Sequence, residues 1–118
     1  ERLTYDDNQI IFNEGDEGDA AYIILSGTAV VSIAQGSKEL ELDRIKKGGF
    51  VGDISLLCDV PRTATITAQN SLTALQIKKD TFLNLIAEFP EIAIEMMRVL
   101  ASRLDNTNKQ LRDANSKT

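Results

Sequence analysis

The chain has 118 residues, of which 42% are hydrophobic and 26% charged, as is ordinary for a single soluble globular domain. Its formal net charge of −5 disfavours a nucleic-acid-binding domain, because contacts to phosphates supply most of the affinity of such domains. The chain has no histidine, which excludes Ser-His-Asp and Cys-His catalysis and every metal site built on histidine.

The first two thirds of the chain consist of short apolar runs that are separated by glycines, a pattern that predicts β-strands. Residues 34–38 form a predicted hairpin loop between two of these strands. Many short antiparallel strands at this spacing favour a sandwich or a barrel. The predicted strands cover residues 10–12, 21–25, 28–33, 39–45, 64–68 and 72–77.

The pattern changes from strand to helix at Lys79. Asp80 is the predicted N-cap of a helix over residues 81–89. Pro90 ends that helix and suits the first turn of the next one. Residues 91–115 contain strong helix formers and neither Gly nor Pro, which predicts one long C-terminal helix.

The long helix carries two stripes of mainly apolar residues. The first stripe, which we expect to pack on the β part, consists of Ile92, Met96, Val99 and Arg103. The second has the a/d spacing of a coiled-coil seam and consists of Ala93, Met97, Leu100, Leu104, Thr107, Leu111 and Ala114. About two heptads, with Ala and Thr in the seam, predict at most a weak homodimer through the long helix.

Residues 50–65 combine features that suit an anionic ligand. Gly52 lets the backbone approach a ligand closely, and a short helical turn near Ile54 leaves backbone N–H groups unpaired. Arg62 offers a planar fork of donors that fits a phosphate. The carboxylate of Asp53 can accept a hydrogen bond from a ligand hydroxyl. Together these groups indicate a ribose phosphate.

This segment closely resembles the phosphate-binding cassette of the cyclic nucleotide-binding domain family. The family pattern is Phe-Gly-Glu, then Ile or Leu, Ala or Ser, and Leu, followed a few residues later by Pro-Arg-x-Ala-Thr. The turn at 14–19, the strand at 22–25 and Gly27 resemble the family upstream of the cassette, so the resemblance covers nearly the whole chain. The matching cassette residues are Gly52, Ile54, Ser55, Leu56, Pro61, Arg62, Ala64 and Thr65.

The resemblance implies a mainly β fold with C-terminal helices. Residues 1–78 are expected to form a β-roll of the jelly-roll type, which contains the cassette at 50–65 and its short helix. Residues 79–118 are expected to form the C-terminal helices, including the long one. The first residue is not Met, so we expect the single domain 1–118 to be a piece of a larger protein.

The resemblance also implies the ligand, which is cAMP in first place and cGMP as the second possibility. Arg62 is expected to bind the cyclic phosphate, and the backbone N–H of Ser55 to donate to it. Thr63 stands at the selectivity position of the family, where a hydroxyl admits cGMP without excluding cAMP. The implied contacts within the cassette are Val51, Gly52, Asp53, Ile54, Ser55, Arg62, Thr63 and Ala64.

Asp53 departs from the family, which usually has Glu at this position as the acceptor from the ribose 2′-OH. The shorter side chain places the carboxylate about 1.5 Å further back, roughly one C–C bond. A shift of the backbone or a bridging water restores the contact, or the contact is lost. The alternative interpretation is a turn aspartate after glycine, which is common.

Base contacts are expected from the long helix. Residues 84–108 resemble the corresponding stretch of bacterial family members, in which a Thr-Ser pair contacts the adenine amino group. Thr107 matches the Thr, and Asn108 stands in place of the Ser. Arg103 is a second candidate for a base contact. The alternative for Thr107 and Asn108 is two ordinary polar residues on a solvated helix face.

We therefore expect a regulatory module that binds a cyclic nucleotide and transmits binding through its C-terminal helices to an effector domain of the parent chain. The alternative is a degenerate domain of the same fold that binds no nucleotide and serves as an assembly surface. An enzyme is not expected, because no histidine and no pair of acidic residues at a strand end is present. We expect this domain to bind no metal and no cofactor other than the nucleotide ligand. We also expect it to bind no nucleic acid and no membrane.

Three further features of the sequence do not indicate a function of their own. Cys58 is the single cysteine, which fits a reducing cytoplasm, and we expect it to pack as a small apolar residue near the cassette. Residues 13–19 have some likeness to a calcium loop but lack its sixth-position Gly and twelfth-position Glu, so a turn is predicted. The N-terminus has no apolar core of a signal peptide, and no apolar run reaches the length of a membrane span.

Overall fold

A computed structural model describes residues 1–116, with side chains described for residues 1–105, 108 and 109. The predicted class, antiparallel β-structure followed by helices, is confirmed. In chain order the elements are β1 (Arg2–Tyr5), β2 (Ile10–Phe12), β3 (Ala20–Gln35), β4 (Lys38–Ile45), β5 (Phe50–Val51), α1 (Asp53–Cys58), β6 (Thr65–Lys78), α2 (Lys79–Glu88) and α3 (Pro90–Ser116).

The two long strands β3 and β6 form an antiparallel ribbon that is the centre of the sheet. Their pairing runs from Ala20 opposite Lys78 to Ser32 opposite Thr65. At one end of the ribbon, β1 adds to β6 and β5 adds to β3. At the other end, β2 adds to β6 and β4 adds to β3. The ribbon therefore belongs to two four-stranded halves, each with its own pair of outer strands.

The ribbon is irregular in the middle, where the two halves meet. Its register shifts between Ile24 and Thr28, on both sides of Ser26. Gly27 lies in this stretch with φ of 84°, a backbone conformation that favours glycine. A Cβ on Gly27 would lie 2.4 Å from the carbonyl oxygen of Ser71 and 2.8 Å from Cα of Leu72. Only glycine therefore fits here without a shift of the opposite strand.

One apolar cluster joins the two halves. It contains residues from both ends of the ribbon, with Phe12 and other partly buried side chains packed against it. Because both halves contribute to the same cluster, the two ends of the ribbon face each other across a shared core. The buried members are Ala20, Tyr22, Ile24, Ala29, Ile45, Val51, Ile66, Ala68, Leu72 and Ala74.

The structure corrects several predicted strand boundaries. The predicted strands at 21–25 and 28–33 are one continuous strand, β3, and those at 64–68 and 72–77 are one strand, β6. Each ladder resumes after its irregularity, so Gly27 distorts a strand instead of ending it. Strand β1 was not predicted at all, and its partner is the distant C-terminal half of β6.

The hairpin between β3 and β4 is tighter than the predicted loop at 34–38. Gln35 pairs directly with Lys38, which leaves Gly36 and Ser37 as a two-residue turn. Gly36 has φ of 63°, as such tight hairpin turns require.

Helix α2 begins at Lys79 and ends at Glu88, instead of covering the predicted 81–89. Asp80 consequently lies in its first turn and is not the N-cap. The backbone N–H of Lys79 donates to the carbonyl oxygen of Asp19 at 2.9 Å, which ties the helix start to the β part. Helix α3 begins at Pro90, in agreement with the predicted place of that proline.

The chain divides into two units, Glu1–Leu83 and Asn84–Thr118. Within the second unit, Met96 is buried, whereas Met97 and Leu104 of the predicted seam are 60% and 62% exposed. Ala93 and Leu100 of the seam are half-buried, and the side chains of Thr107, Leu111 and Ala114 lie outside the described residues. The weak homodimer remains a prediction. In the described part of the chain, no helix has the length and apolar character needed to cross a membrane.

Candidate functional site

The predicted cassette runs from β5 through α1 to the start of β6, and its first turn depends on Gly52. This glycine has φ of 83° and immediately precedes α1. A Cβ at Gly52 would lie 2.7 Å from Nη1 of Arg62 and 3.0 Å from the carbonyl oxygen of Ala20. The position therefore requires glycine twice, for its backbone conformation and for the close approach of the arginine.

Arg62 is the most heavily bonded side chain of the site and is only 4% exposed. Its Nη1 donates to the carbonyl oxygen of Gly52 and to Oγ of Ser55, both at 2.8 Å. Its Nη2 donates to the carbonyl oxygen of Ala20 at 2.7 Å. These three acceptors fix the outer edge of the guanidinium against β3 and α1.

The loop between β2 and β3 is tied to the backbone of the same arginine. The N–H of Arg62 donates to the carbonyl oxygen of Asp16 at 2.7 Å, and the N–H of Gly15 donates to the carbonyl oxygen of Arg62 at 2.8 Å. This loop is the predicted turn at 13–19, and it forms a wall of the site.

Gly18 of that loop lies directly against the guanidinium. A Cβ on Gly18 would be 2.3 Å from Oγ of Ser55 and 3.1 Å from Nε of Arg62. Among the described residues, the buried Nε–H of Arg62 has no hydrogen-bond partner. Only glycine therefore fits here, and its backbone lies close to a buried donor. The sequence predicts a turn at Gly18 but not its closeness to Arg62.

The surroundings of Arg62 affect the pKa of its guanidinium in two opposite directions. Burial lowers the pKa of its guanidinium, while nearby acidic groups act against this change. An arginine stays cationic over the whole physiological range, so the site holds a buried positive charge inside an acidic domain. The opposing groups are Tyr22, Asp19, Asp16 and Asp53.

Asp53 and Ser55 lie on the inner side of α1. Asp53 is 1% exposed and Ser55 is 5% exposed. The proposed contact of Asp53 with a ribose remains a prediction. The hydroxyl of Ser55 donates to the carbonyl oxygen of Gly52 at 3.3 Å and accepts from Arg62, so its side chain organises the cassette.

The remaining cassette residues have different exposures. Val51 and Ala64 are buried, Ile54 is half-buried and Thr63 is exposed. Cys58 is exposed, which contradicts the predicted apolar packing. It is the last residue of a six-residue helix whose Leu56 faces inward, and at the helical angle Leu57 and Cys58 turn outward.

The predicted base contacts belong to the second unit of the chain. Arg103 is half-buried and Asn108 is exposed. The side chain of Thr107 lies outside the described residues. The structure thus gathers the cassette residues around Arg62, while the role of the three helix residues remains a prediction. No group of three or more His, Cys, Asp or Glu side chains suited to a metal ion occurs within the described residues.

The chain is similar in sequence to known proteins. Residues 2–89 match the sequence model of a family described as "Cyclic nucleotide-binding domain". The chain is 35% identical over 104 residues to a CRP-like cAMP-activated global transcriptional regulator of Mycobacterium tuberculosis (strain CDC 1551 / Oshkosh), covering 87% of this chain and 46% of the relative. It is 32% identical over 92 residues to a cAMP-dependent protein kinase regulatory subunit of Mucor circinelloides f. lusitanicus, covering 78% of this chain and 22% of the relative.

A solved structure is similar over almost the whole chain. The catabolite activator protein of Thermus thermophilus superposes with a TM-score of 0.84 at 28% identity, covering 98% of this chain and 55% of that protein. The chain thus spans less than half the length of the two curated relatives, and the remainder of those proteins has no counterpart in it.

Proposed function

The chain belongs to the cyclic nucleotide-binding domain family, and from this membership we propose that it is a regulatory module that binds a cyclic nucleotide, with cAMP as the preferred ligand. The observation that carries the proposal is the buried guanidinium of Arg62, whose Nε–H has no partner among the described residues and borders Gly18. A buried cation with a spare donor suits an anionic oxygen, and the cyclic phosphate of the ligand supplies one.

The chemistry of the neighbouring groups supports the same ligand. The cyclic phosphate carries a single negative charge, so one arginine balances it. Ser55 holds one terminal nitrogen of the guanidinium on Gly52, which leaves the Nε–H of Arg62 as the donor for the phosphate. Asp53 is buried within the cassette and is proposed to accept from the ribose 2′-OH. A carboxylate acceptor distinguishes a ribose from a 2′-deoxyribose.

The relatives support cAMP in particular. One is named as cAMP-activated and the other as cAMP-dependent, and both names describe regulators. We therefore propose that the domain is not catalytic and that its C-terminal helices pass ligand binding to an effector domain of a longer cytoplasmic protein. Arg103, Thr107 and Asn108 are the proposed contacts to the base.

Calorimetric titration with cAMP and cGMP tests the proposed function, with 5′-AMP as a control that carries the same base and an open phosphate. Binding of cAMP at micromolar or lower dissociation constant, with 5′-AMP much weaker, is the expected result. Failure of both cyclic nucleotides to bind would support the alternative, a degenerate domain that serves as an assembly surface.

Asp53→Ala is expected to weaken cAMP binding by about 1.5–3 kcal/mol, because it removes a charged acceptor of the ribose hydroxyl. The measurement is the same titration, repeated with 2′-deoxy-cAMP, for which the variant and the parent should bind almost equally. Asp53→Glu should preserve or improve affinity by restoring reach, while costing stability because the position is 1% exposed. Full affinity of Asp53→Ala for cAMP would remove the ribose role.

Thr63→Ala is expected to weaken cGMP binding more than cAMP binding. The exposed hydroxyl can bond the phosphate of either ligand but reaches the guanine amino group only when that base lies over the phosphate. One neutral hydrogen bond is worth about 0.5–1.5 kcal/mol, so the preference should change by up to roughly tenfold. Paired titrations of parent and variant measure this, and equal losses for both ligands would show that Thr63 contacts only the phosphate.

A further inference from the structure

The inner face of the Arg62 guanidinium lies on an aromatic ring. Cζ of Arg62 is 4.0 Å from the ring centroid of Phe12, well within the range of a cation–π contact. We propose that Phe12 is a positioning residue of the nucleotide site, whose ring holds the guanidinium in the plane that presents its Nε edge to the phosphate. The proposal deepens the proposed function and rests on it.

Phe12 is itself firmly anchored. Its backbone pairs with Ile66 in the ladder between β2 and β6. Its ring packs on Tyr22, with centroids 6.0 Å apart and planes inclined by 35°. Tyr22 is buried, and its hydroxyl accepts from Nε2 of Gln76 at 3.2 Å. The ring under Arg62 is therefore the outer member of an aromatic pair that belongs to the core.

The hydrogen bonds of Arg62 do not complete its placement. Its described acceptors, on Gly52, Ser55 and Ala20, all bind the two terminal nitrogens, and none binds Nε. These bonds alone leave the guanidinium plane some freedom to tilt, because a hydrogen bond tolerates tens of degrees of bending. A ring against one face removes this freedom, and the desolvated site strengthens the attraction between ring and cation. Arginine stacks on aromatic faces through its planar charge, which lysine lacks.

An NMR measurement tests the contact without any ligand. The Nε–H signal of Arg62, assigned by its loss in Arg62→Lys, is expected upfield because the Phe12 ring current acts on it. Phe12→Leu should move this signal downfield, and Phe12→Tyr should keep it. Nε–H of Arg44, which donates to Glu41 at 2.8 Å on the exposed surface, is the internal reference and should not move.

A double-mutant cycle tests the consequence for binding. Phe12→Leu should weaken cAMP binding about 3- to 10-fold, while Phe12→Tyr stays within about twofold of the parent. In the Arg62→Lys background, Phe12→Leu should change the affinity less than about twofold, because the planar partner of the ring is gone. Ile11→Val, a loss of packing in the same strand, should lower the unfolding midpoint without changing the Nε–H signal or the affinity.

The outcomes separate the two proposals. An unmoved Arg62 signal in Phe12→Leu would overturn the positioning role, and so would an equal loss of affinity in both backgrounds, since that is the behaviour of a merely structural residue. If the parent protein binds no cyclic nucleotide, the proposed function fails, and the NMR signal alone then decides whether Phe12 positions Arg62.

Discussion

Arg62→Ala is expected to weaken cAMP binding by about 2–5 kcal/mol, the largest effect of any single change in the site. The variant removes the one guanidinium of the cassette, and a charge partner lost from a desolvated phosphate has an effect of this size. A loss of this range corresponds to roughly 30- to 4,000-fold in dissociation constant, which calorimetric titration can follow at raised protein and ligand concentrations.

The same side chain also supports the fold, so affinity and stability must be measured together. Arg62→Ala deprives the carbonyl oxygens of Gly52 and Ala20 of a donor, and each buried group left without a partner costs about 1–3 kcal/mol. Urea unfolding of the variant therefore has to show a folded population before titration. Arg44→Ala, at an exposed arginine outside the site, is the matched control and should keep full affinity. A folded Arg62→Ala variant with unchanged affinity would disprove the phosphate site.

Gly27→Ala is expected to lower the free energy of unfolding by about 2–5 kcal/mol. About 1–2 kcal/mol comes from the left-handed backbone at φ of 84°, and about 1–3 kcal/mol from forcing a methyl group against the opposite strand. The new Cβ would meet the backbone of Ser71 and Leu72, which cannot rotate away as a flexible side chain can. Urea unfolding monitored by circular dichroism measures the loss.

Gly48→Ala separates the two contributions. Gly48 has a similar φ of 89°, but in the described part of the chain nothing lies within 4 Å of the place that its Cβ would take. This variant should lose only the contribution of the backbone conformation, about 1–2 kcal/mol. Equal losses in the two variants would show that the close approach at Gly27 has no energetic weight.

Local sequence patterns predicted the elements of the fold better than their connections. Polar and apolar residues alternate along β4, and α3 consists of strong helix formers. Both signals depend only on residues close in sequence, so the predicted bounds of both elements are nearly the observed ones. Gly27 lies between two predicted strands, 21–25 and 28–33, because glycines separate the apolar runs of the sequence. Whether the ladder resumes beyond it depends on β6, a partner that lies some forty residues away along the chain.

The residues of the candidate site also differ in whether a local sequence pattern predicts them. Gly52, Ser55 and Arg62 lie within one continuous segment, so their pattern could be interpreted from the sequence. Phe12 and Gly18 reach the guanidinium only through the pairing of β2 with β6 and through the loop that follows, and no local pattern predicts such a contact.

The position of β6 in the sheet has a consequence for how the chain folds during its synthesis. β6 is the last strand in the sequence, yet β1, β2 and β3 all pair with it. Until residues 65–78 have left the ribosome, the nascent chain can form the β3–β4 hairpin but cannot close the barrel-like core. The apolar side chains of β1 and β2 therefore remain exposed to solvent, where they can associate with other chains or bind a chaperone. A stop or a stall before residue 65 would leave β1 and β2 without their partner strand.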